Sequence, residues 1–124
     1  MRILVCGGRD FSSSDVWNWL ERNLRPEVAD ATGCSNWTLD AIIHGGARGA
    51  DEGAARWAES EGVKCLAFPA EWKKHGKAAG PIRNRKMLQD GKPDLVLAFP
   101  GGRGTANMVE LATDAGIRVM HVPA

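Results

Sequence analysis

The chain has little of what several classes of protein need. Its 124 residues carry a formal charge of only +1, without a basic tail or a run of like charge, so long-range attraction to nucleic acid is not indicated. Its three cysteines, Cys6, Cys34 and Cys65, are odd in number, far apart and without CxxC spacing, which argues against a disulfide framework and a zinc site. No His, Cys or carboxylate cluster has metal-ligand spacing. We therefore expect no metal and no cofactor.

A membrane span and a disordered chain are equally poorly supported. The hydrophobic share of 44% and the charged share of 25% are those of globular proteins. The first apolar run, in MRILVCGG, reaches glycine too soon for a signal peptide. We expect a cytoplasmic protein with one domain over residues 1–124 and no membrane partner. Cys6 and Cys65 lie in apolar runs and are expected to be buried, reduced thiols.

Short apolar runs alternate with helical patterns along the whole chain. The runs predict five strands: Ile3–Cys6, Leu39–Ile43, Val63–Phe68, Leu95–Phe99 and Val119–Val122. Four helices are predicted between them, and strands that alternate with helices form a mainly parallel sheet with helices on both faces. The sequence therefore predicts a three-layer α/β domain with a five-stranded sheet.

Prolines and glycines predict where the helices begin and end. The first helix should start near Ser12–Ser14 and stop before Pro26. The third should open at Gly80 and Pro81 and stop at Gly91. The second and fourth should end at Gly62 and Gly116. Residues 69–79 are polar and predict the longest loop, a candidate lid over a site. The tryptophans at 17, 19, 37 and 57 are expected to be packing residues.

Three glycine-rich turns follow predicted strands: GGRD at 7–10, HGGARGAD at 44–51 and PGGRGT at 100–105. In a parallel sheet these turns share the carboxyl edge, where ligands bind. After PGGRGT, the amides of residues 102–105 would begin a helix without internal acceptors, which suits a phosphate or carboxylate. These turns supply candidate ligand-binding residues Gly7, Gly8, Arg9, Asp10, Gly45, Gly46, Arg48, Asp51, Gly101, Gly102, Arg103, Gly104 and Thr105.

The polar residues in and near these turns have alternative interpretations. Arginine suits phosphate because its planar fork donates two parallel hydrogen bonds. Asp10 and Asp51 are candidates to accept from ribose hydroxyls, or else to cap helices.

His44 is either a structural hydrogen-bonding residue or a catalytic one. Trp72, in the polar segment, is a candidate for stacking on a base. Lys73, Lys74 and Lys77 are more typical of a solvated surface than of a nucleic-acid patch.

The ordered motifs GGRDF, HGGARGAD, GPIRNRKM and AFPGGRGT cover nearly the whole chain. With them the chain resembles the YspA-like branch of the SLOG superfamily. That superfamily includes the LOG phosphoribohydrolases, the DNA-processing protein DprA, and domains that sense NAD-derived signals such as cyclic ADP-ribose. The resemblance implies a Rossmann-like fold that holds a nucleotide or ribose-phosphate derivative, often as a homodimer or higher oligomer. It adds Arg83 and Asn84 to the candidate ligand-binding residues.

The LOG enzymes cleave the N-glycosidic bond of nucleoside monophosphates with motifs similar to PGGxGTxxE and RKxxM. Residues 100–105 match the first motif, but Met108 occupies the position of its glutamate. In the second, Arg83 and Met87 keep the spacing while Asn84 replaces the lysine. Glu110 is about 200° round the helix from residue 108, so it does not simply replace the missing acid.

The leading hypothesis is a protein that binds a nucleotide-derived ligand, such as a nucleoside phosphate, ADP-ribose or cyclic ADP-ribose, and senses or sequesters it. In it, the PGGRGT backbone holds a phosphate that Arg83 and Arg48 neutralise. The alternative is a nucleoside monophosphate N-glycosidase that uses Glu110, Asp51 or Asp10 as acid or base. The third is a single-stranded DNA binder in the manner of DprA, with Trp72 as a stacking residue. The near-neutral charge argues against a nucleic-acid partner.

Overall fold

The computed structural model describes residues 1–32 and 39–123. Its strands are β1 (Arg2–Cys6), β2 (Ala41–His44), β3 (Lys64–Ala67), β4 (Leu95–Ala98) and β5 (Arg118–His121). Its helices are α1 (Ser13–Thr32), α2 (Ala50–Ser60), α3 (Trp72–His75), α4 (Ala79–Gly91) and α5 (Arg103–Asp114). A 3-10 turn, Gly76–Ala78, joins α3 to α4. No helix in the described ranges is long and apolar enough to cross a bilayer.

The five strands form one parallel sheet in the order β3-β2-β1-β4-β5. The central strand, β1, pairs Ile3 with both Ile42 of β2 and Leu95 of β4. The chain builds outward from β1 to β3, then returns to the other side of β1 for β4 and β5. Strand order therefore reverses between β1 and β4, the place where open α/β sheets form a crevice.

Helices cover both faces of the sheet, and each face has its own apolar core. Alternate residues of β1 point to opposite sides, so Ile3 and Val5 join the core under α1 and α2. Leu4 and Cys6 join the second core, with Met87 from α4 and Met108 from α5. The predicted three-layer, Rossmann-like α/β fold with a five-stranded parallel sheet is confirmed.

Several predicted boundaries are wrong. Helix α1 continues through Pro26; an interior proline costs a helix about 3 kcal/mol, which weakens the helix without forcing it to end. Residues 69–79 are not a loop throughout, since they include α3 and the 3-10 turn. Helix α4 begins at Ala79, just before the predicted Gly80, and its predicted end at Gly91 is confirmed, although the left-handed capping residue is Lys92 with φ 50°. Gly91 instead gives room to Ile43, whose Cδ1 would lie 3.1 Å from an added Cβ.

The cysteine and tryptophan predictions have mixed outcomes. Cys6 is buried, as predicted, but the prediction for Cys65 is wrong because its side chain is exposed on the edge strand β3. Trp57 is buried, and Trp17 and Trp19 pack against the same core, which confirms them as packing residues. Cys34 and Trp37 lie outside the described residues.

Close packing of α1 against α2 depends on Gly53. A Cβ at Gly53 would overlap the carbonyl oxygen of Ser13 and lie 2.8 Å from the Cβ of Val16. Such overpacking costs about 1–3 kcal/mol, so Gly53→Ala should lower the free energy of unfolding by that amount in urea titrations. Gly104→Ala is the matched control, because a Cβ there meets no atom within 4 Å. Equal stability of the two variants would contradict the packing role of Gly53.

Candidate functional site

A cleft of about 870 Å³ lies at the carboxyl edge of the sheet, where strand order reverses. The loop after β1 and the loop after β4 form two of its walls, and it is also lined by Ala47 from the turn before α2 and by Asp51 from the first turn of α2. Helix α3 contributes Trp72, the 3-10 turn contributes Lys77, and α4 contributes Arg83 and Asn84. The cleft thus draws on all three glycine turns.

Backbone hydrogen bonds through Gly8 join the three turns. The amide of Gly8 donates to the carbonyl oxygen of Pro100 at 2.8 Å, and the carbonyl oxygen of Gly8 accepts from Ala50 at 3.3 Å. A Cβ at Gly7 would lie 2.6 Å from the Cβ of Ala50, and one at Gly101 would lie 2.7 Å from the nitrogen of Gly8. These glycines are therefore needed for the turns to approach one another, whether or not a ligand is bound.

The beginning of α5 presents unpaired backbone donors. The first helical bond runs from the amide of Ala106 to the carbonyl oxygen of Gly102, and no side chain caps the helix. The amides of Arg103, Gly104 and Thr105 consequently have no acceptor among the described residues. An added Cβ at Gly102 or Gly104 would meet nothing within 4 Å, so the approach to this helix end is open. Such an end favours a negatively charged group.

Asp51 is a buried carboxylate with one oxygen used and one left open. Its Oδ2 accepts from the amides of Gly45 at 3.1 Å and Ala47 at 3.2 Å. Its Oδ1 has no partner in the described part of the chain, where every fully buried side-chain N or O atom is hydrogen-bonded. Oδ1 is therefore accessible from the cleft that Asp51 lines. Burial raises the pKa of Asp51 to about 6, although the two amides and the Arg83 guanidinium oppose that rise.

Arg83 and Asn84 connect the second turn to the third. Arg83 donates from Nη1 to the carbonyl oxygen of Gly45 at 2.8 Å and from Nε to Oδ1 of Asn84 at 2.9 Å. The buried amide of Asn84 then donates to the carbonyl oxygen of Gly104 at 3.1 Å and to Oδ1 of Asn107 at 2.9 Å. The two residues place the start of α5 relative to the turn before α2.

Cationic and aromatic side chains form the outer part of the cleft. The Arg9 guanidinium lies 5.3 Å from the ring centroid of Trp72, within cation–π distance. Trp72 is 47% exposed, and the exposed side chains of Lys77 and Arg103 also line the cleft. This outer part is suited to an aromatic ring and to negative charge.

The structure brings most, but not all, of the predicted residues together. Those lining the cleft are Gly7, Gly8, Arg9, Asp10, Asp51, Arg83, Asn84, Gly101, Gly102, Arg103, Gly104, Thr105 and the stacking candidate Trp72. Gly45, Gly46 and Arg48 do not line it. Arg48 instead pairs at 3.3 Å with Asp10, both side chains being strongly exposed, and Gly45 lies against Arg83.

Glu110 lies outside the cleft. It lines a separate cavity of about 420 Å³ with His121, beside the ends of β4 and β5. Helix α5 thus turns Glu110 towards β5, while Met108 is fully buried in the core. His44 makes a structural bond, because its Nδ1 accepts from the amide of Gly46 at 3.0 Å. Burial lowers the pKa of His44 and so favours the neutral form that can accept this bond.

Sequence reasoning missed several residues that line the cleft. Asn107 shares it with Asn84, and Cys6 and Met87 form part of its apolar floor. Lys77 was interpreted as solvated surface, yet the 3-10 turn carries it to the cleft. A signal existed for Cys6, the last residue of a strand that ends at the predicted edge. Among the described residues, no group of three or more His, Cys, Asp or Glu side chains could hold a metal ion.

Comparison with known proteins agrees with this architecture. The family described as "YspA, cpYpsA-related SLOG family" matches residues 1–75. The Gene 61 protein of Mycobacterium phage D29 is 39% identical over an alignment of 128 positions, gaps included, which spans 97% of this chain and 94% of that protein. This chain belongs to the YspA, cpYpsA-related SLOG family. No solved structure matches it. Membership of this family suggests a nucleotide-related ligand. We call the cleft at the carboxyl edge of the sheet the SLOG cleft.

Asp51 should give the stability of this SLOG protein a distinct pH dependence. Because its folded pKa is raised from 3.8 to about 6, its stabilising contribution is complete below about pH 4 and is lost as the pH rises through 6. Asp51→Asn keeps an oxygen for the two amides but cannot ionise. The unfolding free energy of the wild type minus that of Asp51→Asn should fall by up to about 3 kcal/mol across that interval.

Urea unfolding at half-unit steps from pH 4 to pH 8 measures this difference. Asp90→Asn removes an exposed carboxylate of α4 and controls for the change in charge. Parallel curves for the wild type and Asp51→Asn would contradict the assigned cost of burying the Asp51 charge.

Proposed function

We propose that this protein binds a nucleotide-derived ligand in the SLOG cleft, a nucleoside phosphate or an ADP-ribose derivative, linear or cyclic, and senses or sequesters it. The observation that carries the proposal is the open start of α5, where Arg103, Gly104 and Thr105 offer unpaired amides to the cleft. A phosphate group supplies the acceptors and the negative charge that this helix end favours.

The cations around the cleft support the same class of ligand. Arg9, Lys77 and Arg103 line it and are exposed, so they are accessible to a phosphate on the ligand. Arg83 is engaged with Gly45 and Asn84, and Arg48 lies outside the lining. Charge neutralisation by Arg9, Lys77 and Arg103 therefore fits the geometry better than neutralisation by Arg83 and Arg48.

Trp72 supports a ligand that also carries a base. Trp72 lines the cleft and is 47% exposed, with the Arg9 guanidinium over its ring. A planar heterocycle can stack on such a ring, and arginine can stack on a base in turn. A base near Trp72 and a phosphate at α5 would use the length of the cleft.

Self-association, which the family resemblance implies, is part of the proposal.

Hydrolysis of an N-glycosidic bond is the second candidate, because Asp51 lines the cleft with an open oxygen and a pKa raised to about 6. A carboxyl group with a raised pKa can serve as a general acid or base. Helix α5 supplies no carboxylate to the cleft, since Met108 is buried and Glu110 lines the separate cavity. Binding without turnover is thus the better-supported function.

Isothermal titration calorimetry with AMP, ADP-ribose, cyclic ADP-ribose and NAD tests the proposal. At least one ligand should bind, and Gly104→Ala should weaken it about tenfold or more, because the added methyl group obstructs contact with the amides. The thermal stability of Gly104→Ala should be unchanged or slightly higher, since nothing surrounds that Cβ and alanine favours helix.

Thr113→Ala, at the far end of α5, is the matched control and should bind as the wild type does. Chromatography of the same samples for free base distinguishes binding from hydrolysis. If no ligand binds, or if Gly104→Ala binds as tightly as the wild type, the proposed phosphate site is wrong.

A further inference from the structure

The lining of the SLOG cleft contains a hydrogen-bond acceptor and a donor that the protein leaves open. The acceptor is Oδ1 of Asp51, whose other oxygen is used by two backbone amides. The donor is Nη2 of Arg83, whose Nη1 and Nε are both engaged. Neither atom has a partner among the described residues, and both side chains line the cleft. Their position indicates polar contact with a ligand.

These two groups are neighbours across Gly45. A Cβ built on Gly45 would lie 2.8 Å from Cζ of Arg83 and 3.0 Å from Oδ2 of Asp51. Because residue 45 has no side chain, the guanidinium of Arg83 and the carboxylate of Asp51 can both contact its backbone. Both side chains are therefore available to a ligand in the same part of the cleft.

The chemistry of this pair suits a hydroxyl group. A carboxylate oxygen only accepts hydrogen bonds and a guanidinium nitrogen only donates them, whereas a hydroxyl group does both. A fully ionised phosphate has no proton to give Asp51 and would be repelled by its charge, and a cationic amine would be repelled by Arg83. The two hydroxyl groups of a ribose can supply a donor to Asp51 and an acceptor to Arg83.

The acceptor is also held in place before any ligand arrives. Asp51 is 93% buried, since only 7% of it is exposed, and it lies in the first turn of α2 with Oδ2 fixed by Gly45 and Ala47. Binding therefore costs little side-chain ordering, and loss of the matching hydroxyl would leave a buried polar group unpaired.

We propose that Asp51 and Arg83 read the ribose hydroxyls of the ligand, so that the SLOG cleft selects ribosyl phosphates over deoxyribosyl phosphates. This inference rests on the proposed function, with the phosphate at α5 and the sugar over Asp51. It assigns the two open atoms a role in specificity that phosphate binding alone does not require.

Calorimetric titration with AMP, 2′-deoxy-AMP and 3′-deoxy-AMP tests the inference. In the wild type, at least one deoxy compound should bind about tenfold or more weakly than AMP, because a hydrogen bond to a charged group is lost. In Asp51→Asn the ratio of the Kd of that deoxy compound to the Kd of AMP should shrink to about threefold or less, since a neutral amide replaces the ionised acceptor.

Two further variants make the assignment specific. Asp90→Asn removes a charge from the exposed surface of α4 and should keep the wild-type ratio. Asp10→Asn removes the other carboxylate that lines the cleft, whose side chain is 95% exposed. If Asp10→Asn abolishes the preference and Asp51→Asn preserves it, the assignment to Asp51 is wrong.

The outcomes separate the two proposals. Equal binding of AMP and both deoxy compounds by the wild type overturns the hydroxyl-reading role and leaves phosphate binding intact. No binding of any of the three, together with failure of ADP-ribose, cyclic ADP-ribose and NAD, overturns the proposed function and this inference with it. The ratio in the wild type is informative even if Asp51→Asn does not fold.

Discussion

The site depends on two backbone hydrogen bonds of Gly8. Its amide donates to the carbonyl oxygen of Pro100 and its carbonyl oxygen accepts from the amide of Ala50. Gly8, in the loop after β1, therefore joins the loop after β4 to the start of α2. Because β1 is the central strand and order reverses beside it, this contact closes the base of the crevice. The glycines that permit it have no side chain to fill the space, and a cleft remains above them.

The same packing explains why polar groups line a cleft at the edge of a sheet whose central strands are apolar. The turn before α2 folds back on Asp51, whose carboxylate satisfies two of its amides. Burial of that carboxylate is unfavourable for its charge, yet it leaves one oxygen open in the cleft. On the other wall, Asn84 binds the carbonyl oxygen of Gly104, and the amides of Arg103, Gly104 and Thr105 at the start of α5 are unpaired. One wall therefore offers an acceptor and the other offers donors.

Much of the architecture followed from the sequence, because buried parallel strands and glycine turns have strong local signals. The apolar runs around Ile3 and Leu95 predicted the strands, and the glycine turns after them predicted the carboxyl edge of the sheet. Side-chain direction could not be obtained this way: Arg48 turns to Asp10 and Glu110 turns towards β5, which depends on tertiary packing. Helix α3 was missed because four residues are too few for a periodic pattern, and Cys65 was misplaced because edge and central strands look alike in sequence.

The most direct measurement of the central claim is an amide nuclear magnetic resonance titration of ¹⁵N-labelled protein with AMP. If the start of α5 receives the phosphate, the largest chemical-shift changes will be those of Arg103, Gly104 and Thr105, with smaller changes in Gly7 and Gly8. If those amides do not respond, or if the largest changes lie around Glu110 and His121 in the separate cavity, the account of the SLOG cleft is contradicted.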